Sequence, residues 1–250
     1  MKIRLGEIIQ DQECTIEFFP AAGTAERGLI IIFPGGGYRM LADHEGAPVA
    51  EKFVSLGFHA AVCKYRVAPV HYPVQLEDAR NAVRCMREHA QKLHIKPDKI
   101  AVLGFSAGGH LAAMVSNMPG EPVSRPDVSI LCYAVLSANP ELMHSGSFQN
   151  LFGCEPEKSV RDQFSWPEVA NADTPPAFLW HMANDDTVSS DNSVEYFRAL
   201  QKLNIPAELH IYPGGMHGLG IGDRPGYEGQ FQWMKSWPEL CAVFLRNLGW

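Results

Sequence analysis

Short apolar runs alternate along the chain with longer stretches in which apolar residues recur every three or four positions. Leu29-Ile30-Ile31-Ile32-Phe33 is an uninterrupted run that ends in Pro34-Gly35-Gly36-Gly37. A strand of a parallel sheet has this composition, because helices cover both of its faces. Further strands are predicted over residues 58–65, 99–105, 128–136, 177–181 and 207–212, with two short ones around 3–9 and 15–19. Helices are predicted over 47–56, 73–94, 107–117, 190–203 and 230–248. In the longest, Leu76, Ala79, Val83, Met86 and Ala90 follow the spacing of an amphipathic helix. Strand and helix in alternation imply βαβ units. The expected fold class is therefore α/β: a mostly parallel central sheet with helices on both faces.

Residues from about 137 to 176 break the rhythm. They are rich in Ser, Asn, Pro and Glu, with the lone aromatics Phe148, Phe152, Phe164 and Trp166 and no long periodic segment. Open α/β sheets bind ligands beyond the carboxyl ends of their strands. The irregular stretch is expected to form a small cap there, inserted in a single domain of residues 1–250.

Composition narrows the function classes. Hydrophobic residues at 46% and charged residues at 20% of the 250 exclude a disordered chain. The 21 Lys and Arg against 28 Asp and Glu give a net charge of −7, with no basic run, which argues against nucleic acid as a partner. No apolar stretch approaches the ~20 residues of a spanning helix, and the start has no apolar leader core, so no membrane partner is expected. The six cysteines are scattered, without C-x-x-C or zinc spacing, and read as buried free thiols. No pair of histidines has metal-ligand spacing. A cytoplasmic protein with no metal and a small-molecule substrate is the expectation.

The chemistry centres on Gly104-Phe105-Ser106-Ala107-Gly108, a G-x-S-x-G pattern that follows a strand (Ile100-Ala101-Val102-Leu103) and opens a helix. A turn this tight needs neighbours that are nearly free of side chain, and it would expose the serine Oγ at a helix N-terminus. A serine hydroxyl needs a histidine to take its proton, and the histidine needs a carboxylate to fix its tautomer. In this topology the chain order is Ser, acid, His. His217 stands in a Gly-rich loop after the strand ending at Ile211, and is the expected base. His89, His94, His181 and His210 fall on helices or strands, where structural roles are expected, and His110 is expected to pack beneath the turn. The acid is one of the adjacent pair Asp185 and Asp186, of which only one can face the histidine. Asp185 is preferred, and a helix-capping role is expected for Asp186. Charge developing on a carbonyl oxygen would be met by the N–H of Ala107 and N–H groups of Gly35-Gly36-Gly37. A nucleotide cradle is excluded for that loop, since neither G-x-G-x-x-G nor G-K-[ST] is present. Ser-His-Asp chemistry needs no cofactor.

These residues resemble the α/β-hydrolase serine esterases, and more narrowly the bacterial acetyl-xylan esterase-like carboxylesterases. The resemblance is carried by Phe33-Pro34-Gly35-Gly36-Gly37-Tyr38, Tyr65-Arg66-Val67-Ala68-Pro69, Asp78-Ala79-Arg80-Asn81-Ala82 and Gly104-Phe105-Ser106-Ala107-Gly108-Gly109-His110-Leu111-Ala112. It continues through Thr174-Pro175-Pro176-Ala177-Phe178-Leu179-Trp180-His181, Asp185-Asp186-Thr187-Val188 and Gly214-Gly215-Met216-His217-Gly218. It runs from about residue 28 to the C-terminus. It implies that Ser106, Asp185 and His217 are catalytic and that Gly36 and Gly37 join Ala107 in the oxyanion hole. It also implies acetyl esters of sugars or xylo-oligosaccharides as substrates, with Tyr38, Phe152 and Trp166 expected to stack on a sugar ring. The chain departs from the commoner family form at Pro34, where His is usual, and at Met182, where Gly is usual; the glycine loop after Pro34 is expected to survive, and Met182 is expected to crowd or reshape the acid loop. Two other functions remain open: amide hydrolysis of the arylformamidase type on the same triad, and a non-catalytic ligand receptor.

Overall fold

A computed structural model describes residues 2–4, 14–227 and 229–250. The strands are β1 (Lys2–Arg4), β2 (Thr15–Phe19), β3 (Arg27–Phe33), β4 (His59–Lys64), β5 (Ile95–Phe105), β6 (Val128–Cys132), β7 (Ala177–Met182) and β8 (Ala207–Tyr212). The helices are α1 (Ala47–Ser55), α2 (Val74–Glu88), α3 (Ala90–Leu93), α4 (Ala107–Asn117), α5 (Ser145–Phe152), α6 (Lys158–Arg161), α7 (Trp166–Val169), α8 (Asp191–Lys202) and α9 (Trp237–Asn247). Of the strand expected around 3–9, residues 3 and 4 belong to β1 and the remainder lies outside the described residues.

The strands form one sheet in the order β1-β2-β4-β3-β5-β6-β7-β8. β1 with β2 and β2 with β4 are antiparallel, and every pairing from β4 to β8 is parallel. Residues 29–33 of β3 are wholly buried, as their unbroken apolar run requires. One face of the sheet packs on α1 and α9 through Val49, Phe53, Trp237 and Leu245. The other packs on α2, α4 and α8 through Leu76, Val83, Leu111, Tyr196 and Leu200. The chain lays β4 on one side of β3 and β5 on the other. That reversal opens a crevice at the carboxyl ends of β3 and β5, where Pro34 and Ser106 lie.

Three elements differ from the sequence reading. The helix expected over 73–94 ends at Glu88, where the His89 imidazole hydrogen-bonds the Cys85 carbonyl at 2.9 Å, and His94 turns left-handed at φ 56°. The strand expected over 128–136 stops at Cys132 because Tyr133 takes a positive φ of 36°, and Val135 then bonds the Ser106 carbonyl. The closing helix begins only at Trp237, after a 3₁₀ turn over Gln232–Ser236; Pro238 suits a helix start, where no amide is needed.

The segment from 137 to 176 carries the short helices α5, α6 and α7. Its aromatic residues face inward. Trp166, Phe164 and Phe148 surround the buried His110 ring at centroid distances of 5.1, 6.2 and 5.4 Å.

Candidate active site

Ser106 sits between β5 and α4 with φ 52° and ψ −119°, a conformation in which non-glycine residues are strained. Three hydrogen bonds hold it: its N–H donates to the Cys132 carbonyl at 3.0 Å, and its own carbonyl accepts from His110 and Val135. A Cβ on Gly104 would fall 2.1 Å from the Gly108 carbonyl oxygen, and one on Gly108 would fall 2.1 Å from that of Phe33. The two glycines of the motif are thus contacts between backbones, and they leave Ser106 as the side chain offered to the crevice.

The histidine loop comes from the other end of the sheet. The Ser106 hydroxyl donates to His217 Nε2 at 2.8 Å, and His217 Nδ1 donates to Asp185 Oδ2 at 2.8 Å. The Asp185 side chain is fully buried, and its second oxygen accepts from the N–H groups of Thr187 and Val188 at 3.0 and 2.9 Å. Burial by itself would raise the Asp185 pKa. Hydrogen bonds from His181 and His217 and from the Val188 N–H outweigh it and hold the carboxyl well below the usual carboxylate range. His181, entirely buried in β7, donates from Nε2 to the Val188 carbonyl at 2.8 Å and lies 3.4 Å from Asp185 Oδ2. Ser193 donates to its other nitrogen at 2.9 Å. Asp186 is exposed and hydrogen-bonds the Thr187 hydroxyl, and it does not cap α8, whose cap position is Ser190.

The Met182 side chain packs against the histidine loop. Its methyl occupies the space beside Gly215, where a Cβ would meet it at 2.1 Å. The bulk at one loop is accommodated by a glycine in the next. Pro34 is equally well placed, with its carbonyl accepting from the Tyr65 hydroxyl at 2.7 Å.

Gly36 and Gly37 line a cavity of about 500 Å³ whose floor holds Ser106 and His217. Gly35 does not contribute a donor to it, because its N–H is bound by Glu45 Oε2 at 2.7 Å. Glu45, only 2% exposed, also accepts from the Tyr133 hydroxyl at 2.6 Å, which in turn accepts from the Gly220 N–H at 2.9 Å. The Tyr133 ring stands edge-on to His217, with centroids 5.0 Å apart. One carboxylate therefore joins the glycine loop after β3 to the histidine loop after β8. On the opposite side Asn150 of α5 donates to the Gly37 carbonyl at 2.8 Å and fixes the peptide that follows.

Tyr38, Phe152 and Trp166, expected to stack on a sugar, do not line this cavity. Tyr38 and Trp166 are fully buried, and Phe152 packs against Phe164 and Tyr72 at 4.9 and 5.7 Å. Tyr38 lies 2.8 Å from His110 Nδ1 through its hydroxyl. Burying these rings releases more free energy than exposing them at the rim, so the apolar rings root the 137–176 segment and its polar residues face the cavity. His144, Gln149 and Asn150 form that face. Sequence reasoning missed them, and missed Glu45 and Tyr133. No periodicity marks a buried carboxylate, and only the α5 turn brings 144, 149 and 150 to one side. Among the described residues no group of three His, Cys, Asp or Glu side chains is placed to hold a metal ion.

The fold and the crevice are those of a known class. The chain belongs to the α/β-hydrolase family; the prolyl oligopeptidase family model matches residues 74–238 and the BD-FAE model residues 17–123. The acetyl ester-xyloside bifunctional hydrolase of Caldicellulosiruptor lactoaceticus is similar in structure, with a TM-score of 0.90 and 36% identity over 100% of this chain and 96% of that one. The acetylxylan esterase of Xylanibacter ruminicola is 34% identical over 220 residues, 84% of this chain and 45% of that protein. Endo-1,4-beta-xylanase B of Butyrivibrio fibrisolvens is 32% identical over 219 residues, 82% and 34% respectively. The chain thus spans less than half the length of these two curated relatives. No helix among the described residues is long and apolar enough to cross a membrane.

Proposed function

We propose that the protein is a serine esterase that removes short acyl groups, acetyl above all, from O-acylated sugars or xylo-oligosaccharides. The observation that carries this reading is the continuous relay Ser106–His217–Asp185, at 2.8 Å in each link, at the floor of a cavity lined by Gly36 and Gly37. Ser106 Oγ attacks the ester carbonyl carbon while His217 Nε2 takes its proton. The oxyanion accepts hydrogen bonds from the N–H groups of Gly36, Gly37 and Ala107. The tetrahedral intermediate then expels the alcohol, which leaves with the proton from His217. Water, deprotonated by His217, attacks the acyl-Ser106 ester; the acyl C–Oγ bond then breaks, the acid leaves and His217 returns the proton to Ser106 Oγ. Asp185 stays ionised throughout and stabilises the imidazolium that forms twice in the cycle. The similarity to an acetylxylan esterase and to an acetyl ester-xyloside hydrolase supports the sugar as alcohol.

A cytoplasmic setting suits this reading: the six cysteines are free thiols, five of them buried, and the substrates would be short imported pieces. The match to the prolyl oligopeptidase family model favours one second reading, amide hydrolysis by the same relay. Acetate release from acetylated xylose and xylo-oligosaccharides, with Ser106→Ala alongside and N-formylkynurenine as the amide, separates them. Release that falls about 10³-fold or more in Ser106→Ala is expected. Cleavage of p-nitrophenyl acetate alone overturns the sugar, preference for the amide overturns the ester, and activity that survives Ser106→Ala overturns the relay.

A further inference from the structure

His144 plays no part in the relay, yet it lines the same cavity as Ser106 and His217. It is the N-cap of α5, an unusual position for an imidazole, and its Nδ1 accepts the Ser147 N–H at 3.2 Å. The Ser147 hydroxyl also lies 2.8 Å from Nδ1. A ring nitrogen that accepts a backbone N–H carries no proton, so in the neutral ring the proton sits on Nε2. Protonating Nδ1 would aim a second N–H at the first and place a cation at the positive end of a helix. Burial, and then the neighbouring His217, also hold the pKa of His144 below its ordinary value. The ring can therefore serve neither as a base, its lone pair being engaged, nor as a second cation facing His217. It is a fixed hydrogen-bond donor.

We propose that the Nε2–H of His144 binds an oxygen of the alcohol portion of the substrate, a ring or hydroxyl oxygen of the sugar next to the scissile ester. This makes the 137–176 segment the part of the protein that selects the alcohol. The acyl oxygen has its own donors in Gly36, Gly37 and Ala107, and on the opposite wall, where Asn150 is committed to the Gly37 carbonyl, His144 stands with Gln149 as a donor left for the leaving group. The proposal rests on the esterase reading above.

The test is His144→Asn, which keeps a capping side chain for α5 but withdraws the Nε2–H. Steady-state constants are measured for a mono-acetylated methyl xyloside and for phenyl acetate, whose alcohol has no comparable oxygen. Loss of one neutral hydrogen bond predicts that kcat/KM for the xyloside falls about five- to tenfold relative to phenyl acetate, with the change in KM rather than kcat. An unchanged ratio, or an equal fall on both esters, overturns the role of His144 while leaving the esterase reading in place. A parent that turns over phenyl acetate but not the xyloside overturns both this role and the sugar substrate. Should His144→Asn fail to fold, His144→Ser caps the same helix. Calorimetric binding of methyl xyloside to Ser106→Ala, with and without the His144 change, then gives the same reading through Kd, and an equal Kd in the two overturns the proposal.

Discussion

One wall of the cavity is made of strand ends, and the other of the segment between β6 and β7; they hold their polar groups by different means. On the first wall the backbone decides. Ser106 is fixed by the β5–α4 turn, Gly36 and Gly37 by the loop after β3, and Asp185 and His217 by loops after β7 and β8. On the second wall the side chains decide. A buried aromatic cluster around His110 anchors the segment, and His144 and Asn150 project from its outer surface. On the proposed function the difference separates reaction from recognition: constraints on the first wall concern bonds made and broken, and those on the second concern which molecule is presented.

The comparison breaks most visibly through the first wall. Asp185→Asn would leave His217 without its anionic partner and able to hold the wrong tautomer. A fall in kcat of about 10⁴-fold is expected, with the fold unchanged by circular dichroism. Steady-state kinetics that lose less than tenfold would remove Asp185 from the relay. The next effect lies at the brace behind that wall. Glu45→Gln keeps the shape but exchanges an acceptor for a donor, so it loses either the Gly35 or the Tyr133 hydrogen bond. Leaving a buried donor unsatisfied costs ~1–3 kcal/mol, so kcat is expected to drop about five- to a hundredfold with little change in KM. A change confined to KM would instead place Glu45 among the substrate contacts.

Where the walls meet, the expected effect is on stability. Burial lowers the pKa of His110 to about 3, so the folded protein refuses a proton that the unfolded chain accepts near 6.5. Acidification between these two values therefore favours unfolding, by ~1.4 kcal/mol per pH unit, and above the upper value the contribution vanishes. The thermal midpoint of the parent should fall more steeply from pH 6.5 to pH 5 than that of His110→Gln, and parallel slopes would contradict this. The smallest effect belongs to Trp166→Phe. A ring that anchors the second wall without lining the cavity can shrink with kcat/KM held within about twofold on sugar and aryl esters alike. A loss selective for the sugar ester would return Trp166 to the binding surface.

The same division governs what could be read in the sequence. The α/β alternation, the parallel sheet and the reactive turn were legible because their constraints are local. An apolar run such as residues 29–33 admits few structures, and a glycine at 104 or 108 marks backbones in contact. The Ser, Asp, His chain order then named Ser106, Asp185 and His217, which the structure brings within hydrogen-bonding distance. The second wall was not legible. Aromatic residues in an irregular segment suggest a sugar platform, but Tyr38 and Trp166 gain more by burial, and nothing local announces which way a ring will turn. Tyr133 shows the same limit. Its β-prone sequence predicts a strand, whereas a positive φ turns it toward Glu45 to serve a contact 88 residues away. A helix N-cap at His144 is invisible for a related reason, since Ser, Thr, Asp and Asn are the residues expected there.

The carboxylate of Glu45 has a consequence for how the protein fails. It fastens the Gly35 amide directly and the Gly220 amide through Tyr133, so two loops from distant parts of the chain share one rivet. A shared rivet cannot loosen for one plate alone. Water that displaced these hydrogen bonds would release the glycine loop and the histidine loop together, so the approach of His217 to Ser106 would be lost in one step while the sheet beneath is still intact.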